Sequence, residues 1–390
     1  MVVVSIVLDG VGIGDAPDAV HYGDAGSDTL GHVCETVRPS LPNLAELGLG
    51  LIRHLDGVEA ARRPHASFGR MTAISAGKDS TTGHWELAGV VLDNPFPTYP
   101  NGFPEKVLET FCKEAGVEAV LGNRPESGTV IIDEFGEEHQ RTGNPVVYTS
   151  GDSVFQIATH VETISLAELY HLCEVARNRV CTGEHAVGRV IARPFEGTPG
   201  AYSRLSHARK DFSLKPPVLT IQQALQNDGI HTVSVGKIAS LFGDVGFSES
   251  IKTKGNADGI DKTLEIIAKA DRSTGSTFVW TNLVDFDEHY GHRNDVKGFG
   301  AALEAFDGSV PRLINALPRA GVLLLTADHG NDPTYPGTDH TRERVPLLMY
   351  RKDDRLPQHL GTRSTFADHA ATIAALFRVP WAGPGVPFAS

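Results

Sequence analysis

Cysteine is scarce in this chain: four in 390 residues, at Cys34, Cys112, Cys173 and Cys181. Their spacing matches no zinc or dithiol motif, and a chain this long does not depend on a disulfide framework. They read as scattered thiols, and a reducing cytoplasm is the expected location. Positive charge is also short: 35 lysines and arginines face 48 aspartates and glutamates, a net charge of -13. Phosphate backbones and anionic lipid call for a basic footprint, so neither nucleic acid nor membrane is an expected partner. No apolar run approaches the roughly 18 residues of a membrane helix. The opening MVVVSIVLDG has no basic leader and too short an apolar run for a secretory signal, so an unprocessed, soluble protein is expected. No internal repeat or low-complexity tract appears. A small anionic substrate stays compatible with the acidic balance, because a bound cation can invert the local field.

The length exceeds what one core usually fills, so two domains are expected. VVVSIVL is a continuous β-branched run, the form of a strand buried on both faces of a parallel sheet, and it stops at Asp9-Gly10. Phe278 to Val284 repeats the form and ends in Asp285 and Asp287; Val322 to Thr326 repeats it again before Asp328-His329. Three strands therefore deliver acids at their C-terminal ends, the edge where open α/β sheets place ligands. Helical patterns lie between them. Phe299, Leu303, Phe306, Val310 and Leu313 mark one apolar face, Ile260, Leu264 and Ile267 another, and STFADHAATIAALF a C-terminal helix. The alternation indicates a doubly wound, mostly parallel α/β core.

The stretch between DNPFPTYPNGFP and LKPP reads differently, and both ends are dense in linker residues. Within it a helix is expected from Pro104 to Ala115, a second after the capping pair Ser165 and Glu168, and a strand at VGRVIARP. We expect an inserted smaller α/β domain at 96–213, with the core domain built discontinuously from 1–95 and 214–390.

Asp9, Asp287, His292, Asp328, His329 and His340 form the set with chemical potential. Carboxylate oxygen with imidazole nitrogen suits manganese, zinc or iron, and six such residues suffice for two ions. A paired site can clamp both oxygens of a phosphoryl transfer. Singly, Asp9-Gly10 is an ordinary strand-end turn and His340 an ordinary histidine; their arrival at one sheet edge gives them weight. Asp285, Asp332 and Asp339 read as turn residues or as acids that orient ligand imidazoles.

GKDSTTGHWE, Gly77 to Glu86, sets Ser80, Thr81 and Thr82 in a row. Hydroxyls are weak nucleophiles at neutral pH and need a base or a metal. The segment is neither a G-x-S-x-G elbow nor a G-x-x-x-x-G-K-[ST] phosphate loop. Metal activation remains, alongside the plainer reading of a helix cap formed by Asp79 or Ser80. A strand at VGRVIARP puts Arg189, Ile191 and Arg193 on one face; Arg204, Arg209 and Lys210 follow, and Lys237 comes after TVSVG.

The segments DGVGIGDAPDA, GSDTLGH, GKDSTTGHWE, YTSGDSVFQIA, VGRVIARPF, NLVDFDEHYGHR and TADHGNDPTYPGTDHTRE, in this order, closely resemble the phosphopentomutases of the alkaline phosphatase superfamily nearly end to end. They differ from the related cofactor-independent phosphoglycerate mutases, which share the TADHGN type of segment. The resemblance implies a two-metal core, preferably with manganese, and an inserted cap domain. It implies interconversion of ribose 1-phosphate and ribose 5-phosphate, and of the 2-deoxy sugars, in nucleoside breakdown, with a bisphosphate sugar as activator and no obligate protein partner. It places Asp9, Asp328 and His329 on one metal and Asp287, His292 and His340 on the other. It places the phosphate acceptor directly after the Lys-Asp pair, at Ser80, and puts Ser150, Asp152, Arg189, Arg204 and Lys237 near the substrate. That acceptor is often threonine in the family. Here it is serine, and Ser80 to His84 reproduces the Ser-x-x-Gly-His register of the phosphoglycerate mutases. A hydrolase on the same core and a non-catalytic sugar-phosphate binder are the alternatives.

Overall fold

The computed structural model describes residues 1–272, 275–353 and 355–389. The chain divides into two compact units, one of Met1–Pro95 with Pro216–Ser390, the other of Phe96–Lys215. The strand Lys210–Ser213 pairs with Arg189–Glu196, and Leu214 N donates to Gly188 O at 2.9 Å, which holds the chain in the second unit until the prolines at 216 and 217. Among the described residues no helix is long and apolar enough to cross a membrane.

The first unit is built on an eight-stranded sheet of described residues. Its order is Glu249–Ile251, His231–Val235, Thr277–Leu283, Val2–Leu8, Val322–Thr326, Val345–Arg351, Ser67–Met71 and His359–Arg363. The first five run parallel; Val345–Arg351 is antiparallel to both of its neighbours. Val2–Leu8, Thr277–Leu283 and Val322–Thr326 are the three apolar runs of the sequence, and every residue of each is buried. Helices cover both faces, which is what makes unbroken apolar strands stable here. Adjacent residues Trp280 and Thr281 point to opposite faces. Trp280 meets His369 of the helix Asp368–Phe377 with ring centroids 5.7 Å apart, while Thr281 Oγ1 is 2.7 Å from Thr263 Oγ1 of the helix Asn256–Asp271. The fold is thus doubly wound and mostly parallel.

Register explains why the acids meet. Leu8 stands opposite Leu283 and Val7 opposite Thr326, so Asp9, Asp287 and Asp328 all leave the sheet at one edge.

The second unit has its own sheet, ordered Leu121–Pro125, Val146–Thr149, Val154–His160, Arg189–Glu196 and Ser203–Arg204. Phe111 of the expected helix Glu105–Ala115 and Leu169 of Leu166–Val175 pack with Phe155 and Val190 on one side. On the other, Ile131 and Ile132 pack with Tyr148 and Phe195; they belong to a helix, Gly128–Thr142, that no sequence expectation covers. Gly116 ends Glu105–Ala115 in the left-handed conformation, and Ser165 Oγ accepts from Glu168 N at 3.2 Å at the start of the other.

One buried acid ties the first unit together around the hydroxyl segment. Ser80–Leu87 is a helix with all eight residues buried, and its Glu86 is fully buried. The Glu86 carboxylate accepts from Ile74 N, Ser75 N, Phe366 N and Thr365 Oγ1 at 2.7–3.1 Å. Glu86→Ala leaves these donors without an acceptor, and each orphaned buried group costs about 1–3 kcal/mol. The variant is expected to lose about 3 kcal/mol or more of unfolding free energy in urea titrations. A loss under about 1 kcal/mol would show that water replaces the carboxylate.

Candidate metal centre and nucleophile

Asp9, Asp328 and His329 offer ligand atoms within 4.8 Å of one another, and Asp287, His329 and His340 form a second such group. His292 joins the second through its Nε2, 3.2 Å from Asp287 Oδ2. The six expected ligands therefore converge, and His329 faces both groups. All but His292 are buried or nearly so.

Their electrostatics follow from three carboxylates sharing a dry space. Burial alone would push the His329 imidazole down, but Asp328, Asp9 and Asp287 override it and lift it to about 10. Asp287 lifts His292 to about 9. Burial would raise Asp287 itself, yet His340 and His292 hold it well below the usual carboxylate range. Without metal, imidazolium charge balances the acids.

Among the six expected ligands, Asp328 Oδ2 and His340 Nε2 are buried and make no hydrogen bond, although Asp328 Oδ2 lies 3.0 Å from His84 Nδ1 and 3.3 Å from His329 Nε2. A buried polar atom without a hydrogen bond is costly unless something else binds it. The donor set of carboxylate oxygens and imidazole nitrogens fits divalent transition ions and manganese. The residues present therefore fit two such ions.

The imidazoles are oriented by backbone carbonyls. His329 Nδ1 is 3.0 Å from Gly330 O and His292 Nδ1 is 2.6 Å from Thr338 O, which leaves each Nε2 facing the acids. Asp285 and Asp332 have other partners, and Asp339 accepts from His340 N at 2.8 Å, with its Oδ1 4.0 Å from His340 Nδ1. Asp285 accepts from Asn256 N at a helix start, Asp332 lies 2.6 Å from His32 Nδ1, and Asp339 pairs with Lys78 at 3.3 Å.

Side amides orient the carboxylates instead. Asn282 Nδ2 donates to Asp9 Oδ2 at 3.0 Å and lies 3.1 Å from His84 Nε2; Asn331 Nδ2 donates to Asp287 Oδ1 at 2.7 Å. Neither asparagine was expected from the sequence. The signal for Asn282 was available: an amide inside a strand buried on both faces must find a partner.

Ser80 is the first residue of its helix, and Asp79 caps it by accepting from Thr82 N at 3.1 Å. Ser80 Oγ lies 3.1 Å from His329 Nε2 and 3.4 Å from Asp9 Oδ1. Thr82 Oγ1 donates to Asp79 at 2.5 Å. Among the described residues, neither the Thr81 nor the Thr82 hydroxyl bonds a member of the acid–imidazole set. Gly83 permits the approach, because a Cβ there would sit 2.0 Å from Asp328 O. The preceding loop is fixed by buried Arg342, which donates to Ala73 O, Ser75 O and Gly77 O at 2.6–3.0 Å, and by Lys78, which donates to Asp24 Oδ2 at 3.0 Å.

Among the expected substrate contacts, Asp152 and Arg189 meet in the second unit at 3.4 Å, with Asp211 also 3.4 Å from Arg189. Ser150 is half-buried in the loop between the strands Val146–Thr149 and Val154–His160, and Arg204 is exposed on Ser203–Arg204. Lys237 belongs to the first unit, where its charge helps lower Asp9.

Acids and imidazoles gathered at the carboxyl edge of a doubly wound sheet define a metal-dependent enzyme, and residues 1–380 match the Metalloenzyme superfamily model. Three relatives sharpen this. The phosphopentomutase of Caldanaerobacter subterraneus subsp. tengcongensis is 51% identical over 97% of this chain and 94% of its own length. That of Acetivibrio thermocellus is 52% identical over 95% and 94%, and that of Alkaliphilus metalliredigens 48% over 99% and 97%. The chain belongs to the phosphopentomutase family, a family of metal-dependent enzymes of the phosphotransferase and isomerase type.

Two measurements check the site. At pH 7 the metal-free chain carries protons on His329 and His292, whose values stand near 10 and 9. Both must leave when the nitrogens become ligands, so loading with divalent ions is expected to release about two protons. Calorimetry in buffers of different ionisation enthalpy counts them; a count of zero would contradict the assignment. Asn282→Ala is expected to weaken metal binding about 10- to 100-fold, as loss of a ligand-orienting group does. Manganese titration followed by electron paramagnetic resonance reads this directly, and unchanged affinity would assign Asn282 a packing role.

Proposed function

We propose that this enzyme interconverts ribose 1-phosphate and ribose 5-phosphate, and the 2-deoxyribose equivalents, through a phosphorylated Ser80 and a 1,5-bisphosphate. One observation carries the reading: Ser80 Oγ, and neither neighbouring hydroxyl, stands among the acids and imidazoles, 3.1 Å from His329 Nε2. A site built only to bind would not need a hydroxyl there. Asp9, Asp328 and His329 would hold one ion, and Asp287, His292 and His340 the other, with manganese the expected metal. Bound there, the two ions supply the positive charge that favours alkoxide at Ser80 and neutralises phosphoryl oxygens.

The chain's own residues supply geometry. The helix start at Ser80 adds the partial positive charge of its N-terminus beside the oxygen that carries phosphate. Arg342, Lys78 and Glu86 hold the hydroxyl segment rigid, so little reorganisation accompanies transfer. The free hydroxyl of a pentose monophosphate attacks phosphorus on Ser80; the bond to Ser80 Oγ breaks and the sugar leaves as bisphosphate. Return of the other phosphate to Ser80 completes the isomerisation. Enzyme that has lost its phosphate needs a bisphosphate sugar to regain it. Water reaching the phosphoserine would turn transfer into hydrolysis, so the working site must exclude it.

The test is to incubate the manganese-loaded enzyme with a pentose 1,5-bisphosphate and map the phosphorylated residue by mass spectrometry. Phosphate on Ser80 is expected, with Ser80→Ala losing at least about a thousandfold of isomerase activity, as loss of a nucleophile does. Phosphate on Thr81, or full activity in Ser80→Ala, would overturn the assignment. Inorganic phosphate released from ribose 5-phosphate as fast as isomer forms would make the enzyme a hydrolase.

A further inference from the structure

His84 sits one helical turn after Ser80 and is fully buried. A buried imidazole must find a partner for each ring nitrogen. Nδ1 lies 2.8 Å from Ser80 O and 3.0 Å from Asp328 Oδ2. Nε2 lies 3.1 Å from Asn282 Nδ2, and that same amide nitrogen donates to Asp9 Oδ2 at 3.0 Å. The ring therefore stands between the main chain at Ser80 and two carboxylates that come from strands far apart in the sequence.

The chemistry of each group fixes the direction of the bonds. A carboxylate oxygen only accepts, so Asn282 turns its NH2, and not its carbonyl, to Asp9. An NH2 only donates, and its second proton points at His84 Nε2, which must accept. The ring proton is then on Nδ1, where both neighbours, Ser80 O and Asp328 Oδ2, are acceptors. The opposite tautomer would turn donor on donor at Nε2 and a bare Nδ1 on two oxygens. A flipped Asn282 amide would turn oxygen on the Asp9 oxygen. Both alternatives leave buried polar groups without partners.

The plainer role is a core histidine that satisfies itself within its own helix, through Ser80 O. That role leaves two neighbouring features without a purpose. Asn282 is an amide inside a strand buried along its whole length, and it spends both amide protons on Asp9 and this ring. Gly83, with no side chain, lets the helix close on the backbone of Asp328 immediately before His84.

We propose that His84 is a positioning residue. Through Nδ1–H it holds the Ser80 main chain in register with the Asp328 carboxylate, and through Nε2 it holds the Asn282 amide on Asp9. The Ser80 oxygen and the two carboxylates thereby keep a fixed separation while phosphate is transferred. His84 touches neither the Ser80 hydroxyl nor substrate, and its effect on the reaction runs through these partners. The proposal rests on Ser80 as the phosphate acceptor, as in the function proposed above.

Asparagine and glutamine test the two nitrogens separately. His84→Asn sets an amide near the place of Nδ1, and His84→Gln sets one near the place of Nε2; both are neutral and polar. Transfer of phosphate from a pentose 1,5-bisphosphate to Ser80 is followed by rapid quench and mass spectrometry, at saturating manganese. It is expected to slow about 100-fold in His84→Gln, as a displacement of about 1 Å does, and about tenfold or less in His84→Asn. KM for ribose 5-phosphate is expected to stay within about threefold of the wild type in both, since no substrate contact is lost. A readout without metal or turnover is nuclear magnetic resonance of the metal-free chain, labelled at the histidine nitrogens. The His84 signals, assigned by their loss in the two variants, are expected to show a protonated Nδ1 and a bare Nε2. A protonated Nε2 overturns the proposal. Equal loss of transfer in the two variants, loss that follows only their melting temperatures, or failure of both to fold would make His84 a structural anchor and overturn it as well. Phosphate on Ser80 with asparagine ahead of glutamine, in a protein that forms no isomer, would sink the mutase reading and leave the role of His84 standing. Isomer formation with the two variants equal would do the reverse.

Discussion

Three carboxylates, on Asp9, Asp287 and Asp328, are each 4% exposed or less and share one pocket of space. Like charges cannot be left together out of water, so something positive must stand among them. Two imidazoles, those of His329 and His292, do so in the metal-free chain. Much of the first unit follows from this demand. The strands that deliver the acids are buried throughout, so the acids cannot turn outward to water. The asparagines beside them spend their amides on carboxylate oxygens, and backbone carbonyls fix the histidine rings so that the correct nitrogen faces inward.

The same demand explains the hydroxyl segment. A serine on a flexible loop would spend most of its time away from the ions. Here it begins a helix buried along its whole length, with Gly83 against the backbone of Asp328. Polar contacts in the first unit differ greatly in worth. Exposed ion pairs such as that of Arg312 with Asp261 contribute little, because solvent screens them. The buried Glu86 and Arg342 networks cannot lose a partner without orphaning backbone groups, and they are the ones attached to the segment that carries Ser80.

The chain as a whole is acidic, at -13, yet the first unit uses positive charge locally. That charge comes from protons or metal ions among the acids. Net charge excluded nucleic acid and membrane as expectations without saying anything about this place, because it is shielded from the average by burial and by short distance.

The sequence by itself determined the buried strands, the acids at their ends and the order of the two units' segments. Continuous β-branched runs can be stable only inside a covered parallel sheet, and parallel strands have no choice but to align their C-terminal ends. That made all six members of the acid–imidazole set legible, together with Ser80 once the family register was added. Tertiary structure alone decided the rest. His329 faces both groups of acids because of where the chain turns after Thr326, which no spacing reveals. Carbonyls of Gly330 and Thr338, rather than the nearby aspartates, orient the rings, since a backbone atom's direction is set by the loop's path. Asn282, Asn331 and Glu86 look ordinary as letters. Their importance comes from partners far away in the chain, which only the folded contacts show.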